Sequence, residues 1–115
     1  DLPLINFVPE ATAVLSLFAR IGADDEAAAV DAYDKALVHL PTQVVAGELL
    51  GAKECSLPKI SPALAKLRSV REDERVKVVQ AAAEAVLADG KVTQEEGELL
   101  RAVAAGLDCP MPPIF

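Results

Sequence analysis

Residues 72–107 read EDERVKVVQAAAEAVLADGKVTQEEGELLRAVAAGL, and this stretch decides the fold. Its first half carries four apolar residues at steps of three and four: Val76, Val79, Ala83 and Val86. Residues at these steps share one face of an α-helix, while the charged residues between them point elsewhere. The pattern therefore predicts an amphipathic helix from about residue 72 to residue 88.

The turn after this helix carries its own stop and start signals. Gly90 follows Asp89 and ends the first helix, since glycine readily adopts the backbone conformation of a helix end. Thr93 precedes Glu96 by three residues, the spacing of a capping box, in which each side chain accepts a hydrogen bond from the other residue's backbone. The next helix has an apolar stripe: Leu99, Leu100, Val103 and Leu107. A helical hairpin is thus predicted over about 72–107.

Another helical hairpin is predicted near the N-terminus, over about 9–40. In chain order we call it the first hairpin, and the one over 72–107 the last hairpin. Pro9 suits the first turn of a helix, and Gly22 ends the apolar face that follows. Asp24 and the two acidic residues after it place negative charge where the dipole of a second helix favours it. Pro41 ends that second helix.

The segment between the hairpins, about 42–70, is predicted to be a linker with short helices. Residues 42–51 have the pattern of a short helix that Gly51 ends, and residues 52–59 are typical of a connecting loop. Ser61 as N-cap and Pro62 as first residue would open a further short helix. Residues 108–115 form a proline-rich tail.

Length and composition agree with one small helical domain. The chain has 115 residues, a common size for a single domain with one core. Hydrophobic residues make up 52%, but aromatic residues only 3%, so alanine-rich helices are favoured over a sheet with bulky cross-strand pairs. We expect residues 1–115 to form an all-α, compact bundle of about five to six helices.

The net charge of −7 makes nucleic acid an unlikely partner, because phosphates would repel the chain. The sequence has no uninterrupted apolar run of bilayer length, so we expect no direct membrane insertion by this segment. Since it begins at Asp1 rather than methionine, we expect it to be a piece of a longer protein. Basic residues alternate with acidic ones in a mixture that predicts a solvated helix entrance: Lys66, Arg68, Arg71, Glu72, Asp73, Glu74, Arg75 and Lys77.

No complete catalytic motif occurs in the chain. The single histidine, His39, cannot form the paired-histidine zinc site of a metallopeptidase, and its place near a helix end favours a packing or dipole role. No serine lies in a GxSxG elbow, and no phosphate-binding loop is present. Cys55 and Cys109 are far apart in sequence and are expected to be two reduced thiols, with a single disulfide as the alternative.

The turn at 89–96 resembles the second half of an EF-hand calcium loop. Aligning Gly90 with the loop's glycine gives carboxylates at Asp89 and Glu96. The same alignment puts Ala85 and Leu87 where an ion needs oxygen ligands, which excludes an ordinary calcium loop. Capping explains the motif by itself. A metal site using Asp89 and Glu96 would need a further carboxylate, from Glu84 or an aspartate of the first hairpin.

A helix that ends in LADG, followed by KV and then Glu96 before Leu99 and Leu100, resembles the tellurite-resistance TerB-like helical domains. These domains are all-helical, and some are thought to bind metal. The resemblance implies a TerB-like fold.

A longer match includes residues 88–96, ELLRAV at 98–103 and LDCPMPP at 107–113. It is similar to the cytoplasmic C-terminal end of bacterial HtpX-like membrane zinc metallopeptidases, the Zn-dependent proteases with chaperone function. This resemblance implies an inner-membrane parent whose zinc and HExxH site lie upstream, and a cytoplasmic location for this segment. No cofactor is implied for the chain itself, and none of its residues inherits a catalytic role.

Two functions follow as hypotheses. The first is a non-catalytic regulatory or protein-interaction domain of such a metallopeptidase, with the parent peptidase domain, a second copy or a substrate protein as partner. Its expected contact surface is the tail and the exposed side of the last hairpin. The alternative is a small metal-responsive binding domain of TerB type that uses Asp89 and Glu96. A free-standing enzyme has no motif in its favour.

Overall fold

Five α-helices carry the fold in the computed structural model, which describes residues 1–113. In chain order they are α1 (Val8–Ile21), α2 (Glu26–Leu37), α3 (Leu57–Leu67), α4 (Glu72–Leu87) and α5 (Gln94–Gly106). A 3-10 helix, Leu4–Phe7, leads into α1, and another, Ala52–Glu54, precedes α3. The predicted all-α bundle of five to six helices is confirmed.

Helices α1 and α4 lie at the centre of the bundle. Helix α1 packs against α2, α3 and α4, and α4 also contacts α2 and α5. The largest fully buried side chains include Phe18 and Leu15 of α1. The facing side of α4 is rich in alanine, whose small side chain lets helix backbones approach closely: Ala81, Ala82, Ala83 and Ala85 are all buried. This packing explains the high alanine and low aromatic content.

Leu4–Ile21 is a helical stretch of 18 residues that is apolar enough to cross a membrane by length and composition. Half of it is buried inside the protein. A helix that is apolar on most sides is also what the centre of a helical bundle requires. Its packing against three other helices accounts for this composition.

Residues 44–51, which we call the strap, follow a turn and form neither helix nor strand, so the short helix predicted over 42–51 is wrong. The backbone N–H groups of Gly47 and Leu50 donate to the hydroxyls of Thr12 (2.9 Å) and Ser16 (3.0 Å), one turn apart on α1. Tyr33 of α2 donates its hydroxyl proton to the Gly47 carbonyl at 2.6 Å. These bonds to α1 and α2 replace the bonds that a helix would form within the segment.

Helix α3 begins five residues earlier than predicted. Ser56, not Ser61, is the N-cap, and its hydroxyl accepts a hydrogen bond from the N–H of Lys59. Pro58 lies in the first turn, and Pro62 lies inside the helix. Pro58 comes two residues after Ser56, and Pro62 directly follows Ser61, so either serine could be the N-cap of a helix with proline in its first turn. The expected loop over 52–59 is therefore a 3-10 turn followed by the first turn of α3.

Two residues of the predicted solvated helix entrance point inward, which contradicts that expectation for them. Glu74 is 6% exposed and accepts a hydrogen bond from the N–H of Leu4 at 2.8 Å. The Arg75 guanidinium donates to the Leu107 carbonyl at 2.7 Å and to the Val70 carbonyl. Val70 follows the end of α3, and Leu107 follows the end of α5, so neither carbonyl accepts a hydrogen bond within its helix. Arg75 therefore links the C-terminal ends of the two helices.

Helix α5 ends in a hydrogen-bonded reversal of the chain. Asp108 has φ 54°, and the next residue, Cys109, donates its N–H to the Ala104 carbonyl at 2.9 Å. This is the pattern of a Schellman motif with aspartate in the left-handed position. Residues 110–113 continue without helix. The last two residues of the predicted proline-rich tail, Ile114 and Phe115, lie outside the described residues.

Candidate functional site

The turns of the two hairpins meet at Gly22, which directly follows α1. A cavity of about 110 Å³ lies there between α1, α2 and α4. It is lined by small residues and by three carboxylates, those of Asp31, Asp89 and Glu96. A second depression, of about 400 Å³, adjoins it and adds Asp24, Lys91 and Glu95. We call this place the turn pocket.

Glu96 is the most enclosed carboxylate of the turn pocket, with 4% of its surface exposed. Its Oε1 accepts a hydrogen bond from the N–H of Thr93 at 2.8 Å, and its own N–H donates to Thr93 Oγ1 at 3.1 Å. The predicted capping box is thus present. A carboxylate in the first turn of α5 also lies near the positive end of the helix dipole, which offsets part of its desolvation.

The other oxygen of Glu96 faces the first hairpin. A Cβ atom on residue 22 would collide with Glu96 Oε2 and would lie 3.3 Å from Glu96 Cδ. The Oδ2 atom of Asp89 would be 3.9 Å from the same Cβ position. Asp89 Oδ1 accepts a hydrogen bond from the N–H of Lys91 at 3.0 Å, and Gly90 has φ 79°. Glycine at position 22 therefore makes room for the Glu96 carboxylate, whereas Asp89 at 3.9 Å would only be in ordinary contact with a side chain there.

The residues proposed for a metal site are only partly brought together. Asp89 and Glu96 share the turn pocket with Asp31, and Asp24 lies in the adjoining depression. Glu84 does not line it, because its carboxylate lies 3.5 Å from His39 Nε2. Within residues 1–113, no three histidine, cysteine, aspartate or glutamate side chains are grouped closely enough to hold a metal ion. The metal site of Asp89 and Glu96 stays a prediction.

The family assignment rests on the whole bundle rather than on this pocket. The sequence profile described as tellurite resistance protein TerB matches residues 10–111. The chain belongs to the TerB family. No curated protein and no solved structure gives a significant match. The match extends from the first turn of α1 through the residues that follow α5, so the two hairpins and the strap all belong to the TerB domain.

The described residues of this TerB domain do not assemble a nucleophile with a base. His39 contacts Glu84 and not a serine or a cysteine. The Ser16 hydroxyl is occupied by the strap. Cys55 and Cys109 are free thiols, as expected, and burial raises the pKa of both. Nearby arginines, Arg20 and Arg75, oppose this rise only partly, so both sulfurs stay protonated and weakly nucleophilic at neutral pH.

A groove between α2 and the strap is the feature that the sequence did not predict. Its floor is apolar and its edge is acidic, with a volume of about 400 Å³. The local sign of it is the pair of hydroxyl residues, Thr12 and Ser16, in the largely apolar middle of α1. They are one helical turn apart and form a short polar strip on α1, along which the strap packs. The partner segment cannot be read from that strip.

Proposed function

We propose that this TerB domain is a non-catalytic regulatory or protein-interaction domain of an HtpX-like membrane zinc metallopeptidase. Its partner is the peptidase part of the parent, a second copy or a substrate protein. TerB domains are not known as catalytic, which supports a non-catalytic role. Proteolysis is the work of the parent, at a zinc site upstream.

The exposed apolar surface is the observation that carries an interaction role. Val38 and Val45 are 81% and 79% exposed, and Val30 is 43% exposed. They lie on α2, at its end and on the strap, whereas on the last hairpin, where the contact surface was expected, Leu87 is 36% exposed. Leu2 and Ile5, near the N-terminus, are 46% and 48% exposed. Valine side chains left in water give up the free energy that burial against another protein would supply. A partner on this side would cover them.

The HtpX-like parent is supported by the resemblance at the C-terminal end. The string ELLRAV lies within α5, and LDCPMPP follows it through the Schellman motif. The first string supplies Leu100 and Val103 to the core, and Leu107 of the second is fully buried as well. These residues therefore have a structural role in this domain, and none of them has a catalytic one.

Two experiments test this proposal in sequence. The coding region upstream of Asp1 is expected to contain HExxH and several membrane spans, and a reading frame without HExxH would remove the parent from the proposal. The full-length protein is then compared with one that lacks residues 9–113, in casein cleavage by detergent-solubilised enzyme. We expect the rate or the choice of cleavage sites to change. Identical activity of the two proteins would contradict a regulatory role.

The turn pocket favours a second candidate function, metal-responsive binding. The specific observation is that Glu96 Oε2 and Asp89 Oδ2 approach the same position beside Gly22, close to two aspartates of the first hairpin. Carboxylate oxygens are the ligands that calcium, magnesium and manganese prefer. A complete oxygen-only site would need Asp24 or Asp31 to come closer to these two oxygens, since the three carboxylates are not grouped in this structure.

Glu96→Gln separates metal binding from capping, because glutamine also serves in a capping box but carries no charge. Calorimetry with calcium, magnesium, manganese and zinc would give a heat of binding in the unmodified domain and none in this variant. Glu98→Gln, on the exposed side of the same helix, is the matched control and should bind as the unmodified domain does. No heat at millimolar ion in the unmodified domain would rule the candidate out.

A further inference from the structure

The groove between α2 and the strap is shaped for contact with a polypeptide. Its floor consists of apolar side chains from both elements: Val30, Tyr33, Leu37, Ala46 and Leu49. The hydrogen bond from Tyr33 to the Gly47 carbonyl ties the two sides together. At about 400 Å³ the groove falls within the range of roughly 300–1,000 Å³ that is usual for ligand sites.

The edge of the groove is acidic throughout. Three carboxylates stand along it, those of Glu26, Asp34 and Glu48, and neither a lysine nor an arginine lines it. Arg20 neutralises Glu26 through two hydrogen bonds of 2.8 and 3.0 Å. Within residues 1–113, Asp34 and Glu48 have no ion-pair partner within 4 Å. The groove therefore presents two uncompensated negative charges beside an apolar floor.

This combination selects one kind of occupant. A second copy would bring the same acidic edge and a net charge of −7, so it would be repelled. A neutral apolar segment would leave the carboxylates without partners, whereas lysine or arginine beside the apolar side chains would pair with them. We propose that the groove binds a short polypeptide segment of a partner protein in which apolar residues are flanked by basic ones. This rests on the proposed interaction function and names the chemistry of its partner.

A peptide selection on the immobilised 115-residue chain tests the groove directly. Peptides enriched from a random display library are expected to combine leucine, isoleucine or valine with lysine or arginine. The affinity of one enriched peptide is then measured by fluorescence polarisation, and it should weaken as ionic strength rises, because the charged edge is exposed. No enrichment, or enrichment of peptides without basic residues, would overturn the proposal.

Four variants of the chain locate the binding. Val30→Lys and Glu48→Lys should each lower the affinity for the peptide by about tenfold. Val30→Lys removes an apolar contact, and both substitutions add a positive charge that repels the basic residues of the peptide. Ile5→Lys is the matched control for Val30→Lys, because Ile5 is exposed to a similar degree, 48% against 43%, and does not line the groove. Glu98→Lys on α5 is the matched control for Glu48→Lys, because Glu98 also lies outside the groove. Both controls should leave affinity within about twofold. Equal weakening by a control and its partner variant would overturn the proposal.

NMR chemical shift changes in the domain, recorded as the peptide is added, show where the peptide binds. They therefore separate a wrong binding site from a wrong interaction function. Binding with shifts confined to α2 and the strap supports the groove. Peptides that bind elsewhere overturn the groove but leave an interaction domain. If no peptide is enriched, the groove is overturned, and the casein comparison with the truncated parent alone decides the interaction function.

Discussion

Gly22→Ala tests the contact between the two hairpin turns. Gly22 has φ −104°, which any residue adopts, so its backbone does not require glycine. The demand for glycine comes from Glu96, whose Oε2 occupies the space of a Cβ on residue 22. Since Glu96 is almost fully buried and its Oε1 is held by the N–H of Thr93, an alanine at position 22 must push the carboxylate out of the capping box.

The expected change in the free energy of unfolding is the difference between two contributions. Loss of the charge-assisted cap costs about 1–2 kcal/mol. Alanine in place of glycine gains about 0.4–1 kcal/mol by restricting the unfolded chain. We therefore expect Gly22→Ala to lower the free energy of unfolding by about 1 kcal/mol, or the melting temperature by roughly 4 °C. In a Glu96→Ala background the collision is absent, and the same change should be neutral or stabilising.

Urea unfolding of the four proteins of this double-mutant cycle, followed by far-ultraviolet circular dichroism, measures the coupling. We expect about 1–2 kcal/mol between positions 22 and 96. Gly106→Ala is the control, because its Cβ would lie 3.7 Å from Leu64 Cδ1, an ordinary contact, and it should not couple to position 96. Additive effects within about 0.5 kcal/mol for Gly22 and Glu96 would refute the contact.

Three further predictions concern parts of the fold outside the turn pocket. Arg75→Met removes hydrogen bonds to two helix-end carbonyls and should cost about 2 kcal/mol in urea unfolding, whereas Arg68→Met on the surface should change stability by less than about 0.5 kcal/mol. Tyr33→Phe should cost about 1 kcal/mol and speed amide exchange at Leu50; unchanged exchange would contradict its role in holding the strap. Because burial raises the pKa of Cys55 and Cys109, less thiolate is present at any given pH, and alkylation by iodoacetamide should be slower in the folded chain than in urea; equal rates would contradict this.

The features predicted correctly from sequence are those fixed by neighbouring residues. Gly90 and the pair of Thr93 and Glu96 act within one turn of the chain, so the α4–α5 hairpin and its capping box could be predicted. The start of α3 shows the limit, since Ser56 and Ser61 carry similar local signals and only packing selects the first. The sequence offered no means to choose.

The features missed depend on contacts between distant residues. The strap is set by hydroxyls on α1 that precede it by 34 and 35 residues, and Arg75 reaches a carbonyl 32 residues away. In the same way, Asp89 and Glu96 were recognised from their loop pattern, but Gly22 was not, because it belongs to the other hairpin. For the further carboxylate of a metal site, the sequence suggests either an aspartate of the first hairpin, without saying which one, or Glu84. In the structure Glu84 contacts His39 instead.

Sedimentation velocity of this TerB domain, mixed with the detergent-solubilised peptidase part of its proposed parent, measures whether the domain binds that protein. A complex that forms in proportion to the concentration of the peptidase part is predicted, and Val30→Lys should weaken it while Ile5→Lys, at a residue of similar exposure outside the groove, should not. Independent sedimentation of the two components, at concentrations where both remain folded, would contradict a contact between the domain and its parent.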